Sequence, residues 1–166
     1  MARLVLVGLP GVGKTTLASA LAAHWGCDAL DTDDVIAEST GMSTARYLRE
    51  QGEAAFRQRE IEALRRALES DAVVATGAGV VTTRAARELL EREVTLWLDC
   101  DDETLLSRVR EGDRPLLGDD HRHALGVMRT QREAWYRSSA RLRVDASGTA
   151  DEVLGRVLQE IERVSP

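Results

Sequence analysis

Residues 8–16 read GLPGVGKTT, and this stretch decides how the rest of the chain is read. Gly8, Gly13, Lys14 and Thr15 satisfy the spacing G-x-x-x-x-G-K-[ST] of a phosphate-binding loop. Lys14 is the single lysine among 22 strong bases; every other one is arginine. A compact ammonium suits a point charge between two phosphates, whereas a guanidinium suits planar, paired acceptors. Glycines let successive backbone N–H groups curl round an anion, and the helix that follows adds its positive end. The candidates to hold a nucleotide are therefore Gly11, Val12, Gly13, Lys14, Thr15 and Thr16. The Thr15 hydroxyl is also a candidate Mg²⁺ ligand. A glycine-rich turn with a surface lysine would leave the flanks unexplained. ARLVLVG (2–8) is a short apolar run, and TTLASALAAHW (15–25) follows with helical periodicity. Strand, loop, helix is the context the motif requires.

Working outward, short β-rich runs alternate with longer helical segments, which argues for a parallel sheet covered by helices on both faces. Strands are expected at 2–7, 28–31, 72–76, 94–98 and 141–145. Helices are expected at 14–25, 33–39, 43–51, 53–69, 83–92, 102–110, 121–139 and 150–163. Gly52 is expected to divide the third helix from the fourth. Thr149-Ala-Asp-Glu152 has the form of a capping box and starts the last helix. The fold class is thus α/β, a three-layer α/β/α arrangement round a five-stranded parallel sheet. In such sheets the ligand crevice lies beyond the carboxyl ends of the strands.

The chain has 166 residues, 43% hydrophobic and 30% charged, with a net charge of −6. Length implies one domain with a real core, and composition implies an ordinary soluble globular protein. The acidic balance argues against nucleic acid as a partner, though locally converging arginines still allow an anionic substrate. No stretch approaches a membrane span, and the first strand leaves no room for a signal peptide. Cys27 and Cys100 are too few for a disulfide or zinc framework and are expected to be buried free thiols in a reducing cytoplasm. His24, His121 and His123 have no ligand-like companions. No Ser/His/Asp or Cys/His set suggests covalent catalysis, so any transfer is direct and in line.

After the second strand comes DTDD (31–34). Alternation along an extended segment puts Asp31 and Asp33 on one side. Beside a phosphate loop, one carboxylate can serve Mg²⁺ through water and the other can orient an attacking hydroxyl. The same acids could simply cap the helix that begins near residue 33. Arg57 has Glu53 and Glu60 at helical spacing, which describes either a solvated face or an arginine pinned in place for a ligand.

The ordered set GLPGVGKTT (8–16), DTD (31–33), GEAAFRQRE (52–60), GAG (77–79), RPLL (114–117) and R-x-x-x-Y (Arg132, Tyr136) resembles the shikimate kinases. These are small kinases of the nucleoside-monophosphate-kinase-like fold, and the likeness runs from Arg3 to about Val157. It implies ATP and Mg²⁺ as cofactors, a small carboxylate substrate, and phosphoryl transfer to the 3-hydroxyl of shikimate. By matching positions, Lys14, Asp33 and Arg114 would be catalytic, and Thr15 and Asp31 would serve the metal. Asp33, Arg57, Gly77, Ala78, Gly79 and Arg132 would bind substrate, with Arg57 and Arg132 clamping its carboxylate. The resemblance also implies substrate-binding helices at about 33–60 and a mobile lid at about 111–123. Arg114 would reach the phosphates from that lid, and either Arg108 or Arg110 would stack on adenine. The loop 145–150 would complete the adenine pocket. A monomer in the cytoplasm is expected.

Two positions depart from the family pattern. Ala78 stands where the family has the middle of three glycines, and Trp135 replaces a smaller residue before the tyrosine. If residue 78 needs a left-handed conformation, Ala would disturb substrate placement. Otherwise its methyl only trims the pocket. Two alternatives accompany the shikimate reading: a kinase of another small hydroxylated acid or cyclitol, and a catalytically silent nucleotide-binding regulatory module.

Overall fold

Three runs of the chain are buried on both faces: Leu4–Val7 (β1), Ala72–Ala75 (β3) and Thr95–Asp99 (β4). Such continuous burial marks central strands of a parallel sheet. Asp28–Asp31 (β2) and Leu142–Asp145 (β5) carry exposed polar residues and form the edges. In this computed structural model, which describes residues 1–111 and 120–164, all pairings are parallel. The strand order is β2-β3-β1-β4-β5. Each expected strand and helix is present within a few residues of its expected bounds. One element was not foreseen, a 3₁₀ turn at Val80–Thr82 directly after β3.

The helices are α1 (Lys14–Trp25), α2 (Thr32–Thr40), α3 (Thr44–Gln51), α4 (Glu53–Leu68), α5 (Arg84–Leu90), α6 (Asp102–Glu111), α7 (His121–Ser139) and α8 (Ala150–Val164). α1 packs with α8, while α4, α5 and α7 pack in succession. The core between sheet and helices is aliphatic, with Leu6, Leu21, Leu64, Leu90, Leu96 and Leu105 fully buried. Each contributes about 1.5–3 kcal/mol of transfer free energy. Among the described residues no helix is long and apolar enough to cross a membrane.

The helix ends follow local chemistry. Gly52 adopts φ 85° and gives its N–H to Leu48 O at 3.0 Å, closing α3 just before α4 begins. Thr149 and Glu152 make both bonds of the capping box at α8. α1 is different. Its N-cap, Gly13, offers no side-chain acceptor, and no acid lies in its first turn. The start of α1 thus carries no capping side chain, the arrangement of a helix end that suits an anion.

Register places the loops that matter side by side. Leu6 pairs with Ala75, and Asp31 also pairs with Ala75 from the other side. The phosphate loop after β1, Asp31 at the end of β2 and Thr76 after β3 thus emerge together at the carboxyl edge. Cys100 is buried and Cys27 half-buried, both as free thiols.

Candidate active site

At that edge lies a cavity of about 410 Å³. One end is built by the loop between β1 and α1. Gly8, Gly11 and Gly13 take φ of 152°, 81° and 102°, values that exclude ordinary side chains. Lys14 Nζ donates to Gly8 O at 2.8 Å and Leu9 O at 3.1 Å, so the ammonium is held across the loop. Pro10, Gly11, Gly13, Lys14, Thr15 and Thr16 line this end. The Val12 side chain instead turns into the core, 2% exposed.

Thr15 Oγ1 donates to Asp31 Oδ2 at 2.6 Å, and Asp31 Oδ1 accepts the Asp33 N–H at 2.9 Å. Asp31 therefore caps α2 and faces the Thr15 hydroxyl at once, so capping one helix does not keep it from the phosphate loop. Asp33 joins it for a reason other than strand alternation, because α2 begins at Thr32 and Asp33 lies in its first turn. This hydroxyl and carboxylate fit a divalent cation that takes its remaining ligands from phosphate and water, as Mg²⁺ does. Among the described residues no three acidic, His or Cys side chains converge on a metal position.

The opposite end is lined by Asp33, Arg57, Glu60 and Arg132. Burial pushes the Asp33 carboxyl up to about 6; the charges of Asp31 and Glu60 add to this, and Lys14 opposes it. Arg57 Nη1 bonds Glu60 Oε2 at 2.5 Å, and Arg57 Nη2 reaches the exposed Glu53 at 3.4 Å. Glu60 is 4% exposed. Burial raises its carboxyl, while Arg57 and then Arg132 pull it down. Arg132 Nη1 donates to Ala78 O at 3.1 Å. Arg57 and Arg132 each keep a buried Nε without an acceptor among the described residues. Two guanidiniums with spare donors in a part-buried pocket suit a carboxylate.

Between these side chains runs the Gly-Ala-Gly loop. None of its three residues has positive φ. Ala78 is thus unstrained, and its methyl meets no backbone requirement for glycine. Its neighbours are glycine for another reason. A Cβ on Gly77 would lie 3.0 Å from Asp33 Oδ1 and 3.1 Å from Glu60 Oε1, and one on Gly79 would collide with the Arg57 guanidinium.

Arg108 does not point into the cavity. Its guanidinium donates to Val12 O (3.2 Å), Ala146 O (2.8 Å) and Gly148 O (3.0 Å), tying the phosphate loop to the loop after β5. The side chain of Arg110, all of Arg114 and the stretch 112–119 lie outside the described residues. The expected 111–123 lid is therefore seen only at its flanks, where Glu111 closes α6 and His121 opens α7. Trp135 is half-buried against the core, and the Arg87 guanidinium lies 5.0 Å from its ring centre. A second cleft, about 720 Å³, opens beside Asp99, Arg129 and Arg143. Asp99 is neutralised there by both arginines, at 2.9 and 2.7 Å.

The profile of the shikimate kinase family matches residues 10–162. The chain belongs to the shikimate kinase family. It is 39% identical over 163 residues to a Synechococcus shikimate kinase, covering 95% of this chain and 83% of that one. A Nostoc shikimate kinase is 37% identical over 165 residues, with 97% and 91% covered. Among solved structures, the shikimate kinase of Acinetobacter baumannii in complex with shikimate superposes with a TM-score of 0.90. Their sequences are 33% identical, over 96% of this chain and 92% of that one.

Three features of this shikimate kinase site escaped sequence reasoning. One is the burial of Glu60, because its i+3 spacing suggests an acid that pins Arg57 but does not reveal that it is buried. Thr32, 2% exposed, accepts the Gly77 N–H on its Oγ1 at 3.0 Å. The Tyr136 hydroxyl donates to Ala78 O at 2.5 Å. The R-x-x-x-Y spacing, which puts Arg132 and Tyr136 on one helix face, was the available signal for the last of these.

Proposed function

We propose that this protein transfers the γ-phosphoryl group of ATP to the 3-hydroxyl of shikimate. The observation that carries this reading is one cavity that joins a phosphate loop to a part-buried acid flanked by two arginines. Backbone N–H groups of the loop and of the start of α1 bind the nucleotide phosphates, and Lys14 leaves its carbonyl partners to sit between them. Thr15 and Asp31 hold Mg²⁺, which when bound neutralises charge on the transferring phosphates. Arg57 and Arg132 hold the substrate carboxylate by paired hydrogen bonds, which fixes the ring. Asp33 accepts a hydrogen bond from the acceptor hydroxyl. With its pKa near 6 it is ionised at neutral pH yet basic enough to take the proton as the bond to phosphorus forms. Glu60 keeps Arg57 from collapsing onto other acceptors.

Arg114 joins the phosphates, and Arg108 or Arg110 borders adenine together with loop 145–150. On this reading residues 1–166 are one kinase domain, a cytoplasmic monomer that binds no nucleic acid. The two alternatives lose their main sequence support. Ala78 is unstrained, and Trp135 faces Arg87 instead of lining the cavity.

The test is ADP release by the purified protein with Mg-ATP and shikimate, beside quinate, gluconate, a nucleoside monophosphate and no acceptor. Turnover with shikimate alone is expected. Preferred turnover of another acid would overturn the acceptor assignment and keep the chemistry. Tight ATP binding with turnover on nothing would overturn the kinase.

A further inference from the structure

The loop after β3 is held from behind at two points, one by α7 and one by Arg87 of α5. At the first, Ala78 O accepts from Tyr136 Oη at 2.5 Å and from Arg132 Nη1 at 3.1 Å. Tyr136 is 1% exposed, and its ring stacks on Trp97 of β4 at 6.1 Å between centroids and 20° between planes. The hydroxyl is thus aimed at the loop by a ring fixed between α7 and the sheet. Burial pushes its pKa to about 12, so it stays protonated and donates at any working pH. At the second point, Val81 O accepts from Arg87 Nη1 at 2.6 Å. That guanidinium lies 5.0 Å from the ring centre of Trp135, the α7 residue beside Tyr136. Between the two points the loop closes on itself, with Thr82 Oγ1 donating to Gly79 O at 2.7 Å.

We propose that Tyr136 and Arg87 are positioning residues for the acceptor, setting the backbone of residues 77–81 against Asp33, Arg57 and Arg132. This rests on the assignment of shikimate as acceptor. The tight clearances around the loop create the need for such a brace. A Cβ on Gly79 would collide with the Arg57 guanidinium, and one on Gly77 would press Asp33 and Glu60 aside by a few tenths of an ångström. A drift of the loop by a fraction of an ångström therefore changes where those side chains sit. Arg132 cannot hold the loop alone, because it must also turn donors toward the substrate. A carbonyl fixed by Tyr136 gives Arg132 a stationary partner, and a guanidinium anchored at Nη1 presents its other N–H groups in a defined plane. Arg87 prevents the loop from pivoting about Ala78. Trp135 keeps Arg87 in place by lying under its flat face.

A merely structural role makes a different forecast. Tyr136 as core filling would lower Tm on substitution and leave the kinetic constants alone. The experiment compares Tyr136→Phe and Arg87→Met with the unaltered protein in two measurements. Phe keeps the stack on Trp97, and Met keeps an unbranched stem against Trp135. The first measurement is amide hydrogen exchange over residues 77–82 without substrate. The second is steady-state kinetics with shikimate and Mg-ATP.

Faster exchange in both variants is expected. The KM for shikimate should rise about tenfold in Tyr136→Phe and about threefold in Arg87→Met, the scale of one neutral hydrogen bond. The KM for ATP should not move. Unchanged exchange overturns the brace, whatever the acceptor. Faster exchange with an unmoved KM for shikimate, or with a matching rise for ATP, overturns the positioning role. If the unaltered protein does not turn over shikimate at all, the acceptor assignment fails first and takes this role with it.

Discussion

Glycines crowd both ends of the cavity, but their backbones differ. At the phosphate end Gly8, Gly11 and Gly13 all have φ between 81° and 152°. At the acceptor end Gly79 has φ −87°, and Gly77 also lies outside the positive range. The first group is glycine because the chain must bend in a way that L-residues avoid. Around Gly13 there is nothing within 4 Å of where a Cβ would sit. The second group is glycine because functional side chains occupy the place of a Cβ. Conformation constrains all three glycines of the phosphate end, with clearance added at Gly8 (Leu98 O at 2.5 Å) and Gly11 (Val109 Cγ2 at 2.8 Å), whereas clearance alone constrains Gly77 and Gly79. Ala78 fits this division, since it needs neither.

The hardest test of the acceptor end is Asp33→Asn. We expect kcat to fall about 10²–10⁴-fold, the usual worth of a group that accepts the proton, with ATP affinity retained. The same change should stabilise the fold. A carboxyl whose folded pKa is about 6 against an ordinary 3.8 holds its proton more tightly when folded. Its stabilising contribution is complete below about pH 4 and is lost as pH rises through 6. Urea melts should show Asp33→Asn ahead by about 1–3 kcal/mol at pH 8 and level at pH 4. In the unaltered enzyme, kcat/KM for shikimate should climb with pH and level off above about 6. A limb centred near pH 4 would remove Asp33 from the role.

The next test exchanges one glycine at each end. Gly79→Ala should drive the Arg57 guanidinium aside and raise the KM for shikimate about 10–100-fold, the worth of charged hydrogen bonds, leaving ATP untouched. Gly13→Ala should do the reverse. Its strain of roughly 1–2 kcal/mol should raise the KM for ATP about tenfold and spare shikimate. If both variants disturb the same substrate, the division is wrong.

Ala78→Gly carries the smallest expected effect. Steady-state constants should stay within about twofold, and thermal stability should fall by about 0.5–1 kcal/mol from the looser unfolded chain. A large gain in turnover would show that the methyl obstructs the pocket.

Legibility in the sequence divides along similar lines. The strand, loop and helix of the phosphate end could be read from a local run of nine residues, although Val12, expected to face a nucleotide, turns its side chain into the core. α1 and α7 appear at their expected bounds because apolar periodicity is long enough to see. The 3₁₀ turn at Val80–Thr82 was invisible, being three residues with no period of its own. Arg57, Gly79 and Arg132 could be named by resemblance, but their reasons could not. That Ala78 O is the target of Tyr136 depends on a contact between residues 58 apart in the chain, and the burial of Glu60 likewise arises only from tertiary packing. DTDD was read correctly in outcome and incorrectly in cause, since a helix start and not strand alternation brings Asp33 beside Asp31.

The position of β3 between β1 and β2 has a consequence for synthesis. The chain is made from its N-terminus, and β2 finds no strand to lie against until residues 72–75 have emerged. Until then Asp31 has no fixed place opposite Thr15. The phosphate loop is among the first parts translated, yet it waits on a strand made later before its acid partner arrives. A nascent chain halted short of β3 should therefore carry the nucleotide signature in its sequence and be unable to use it.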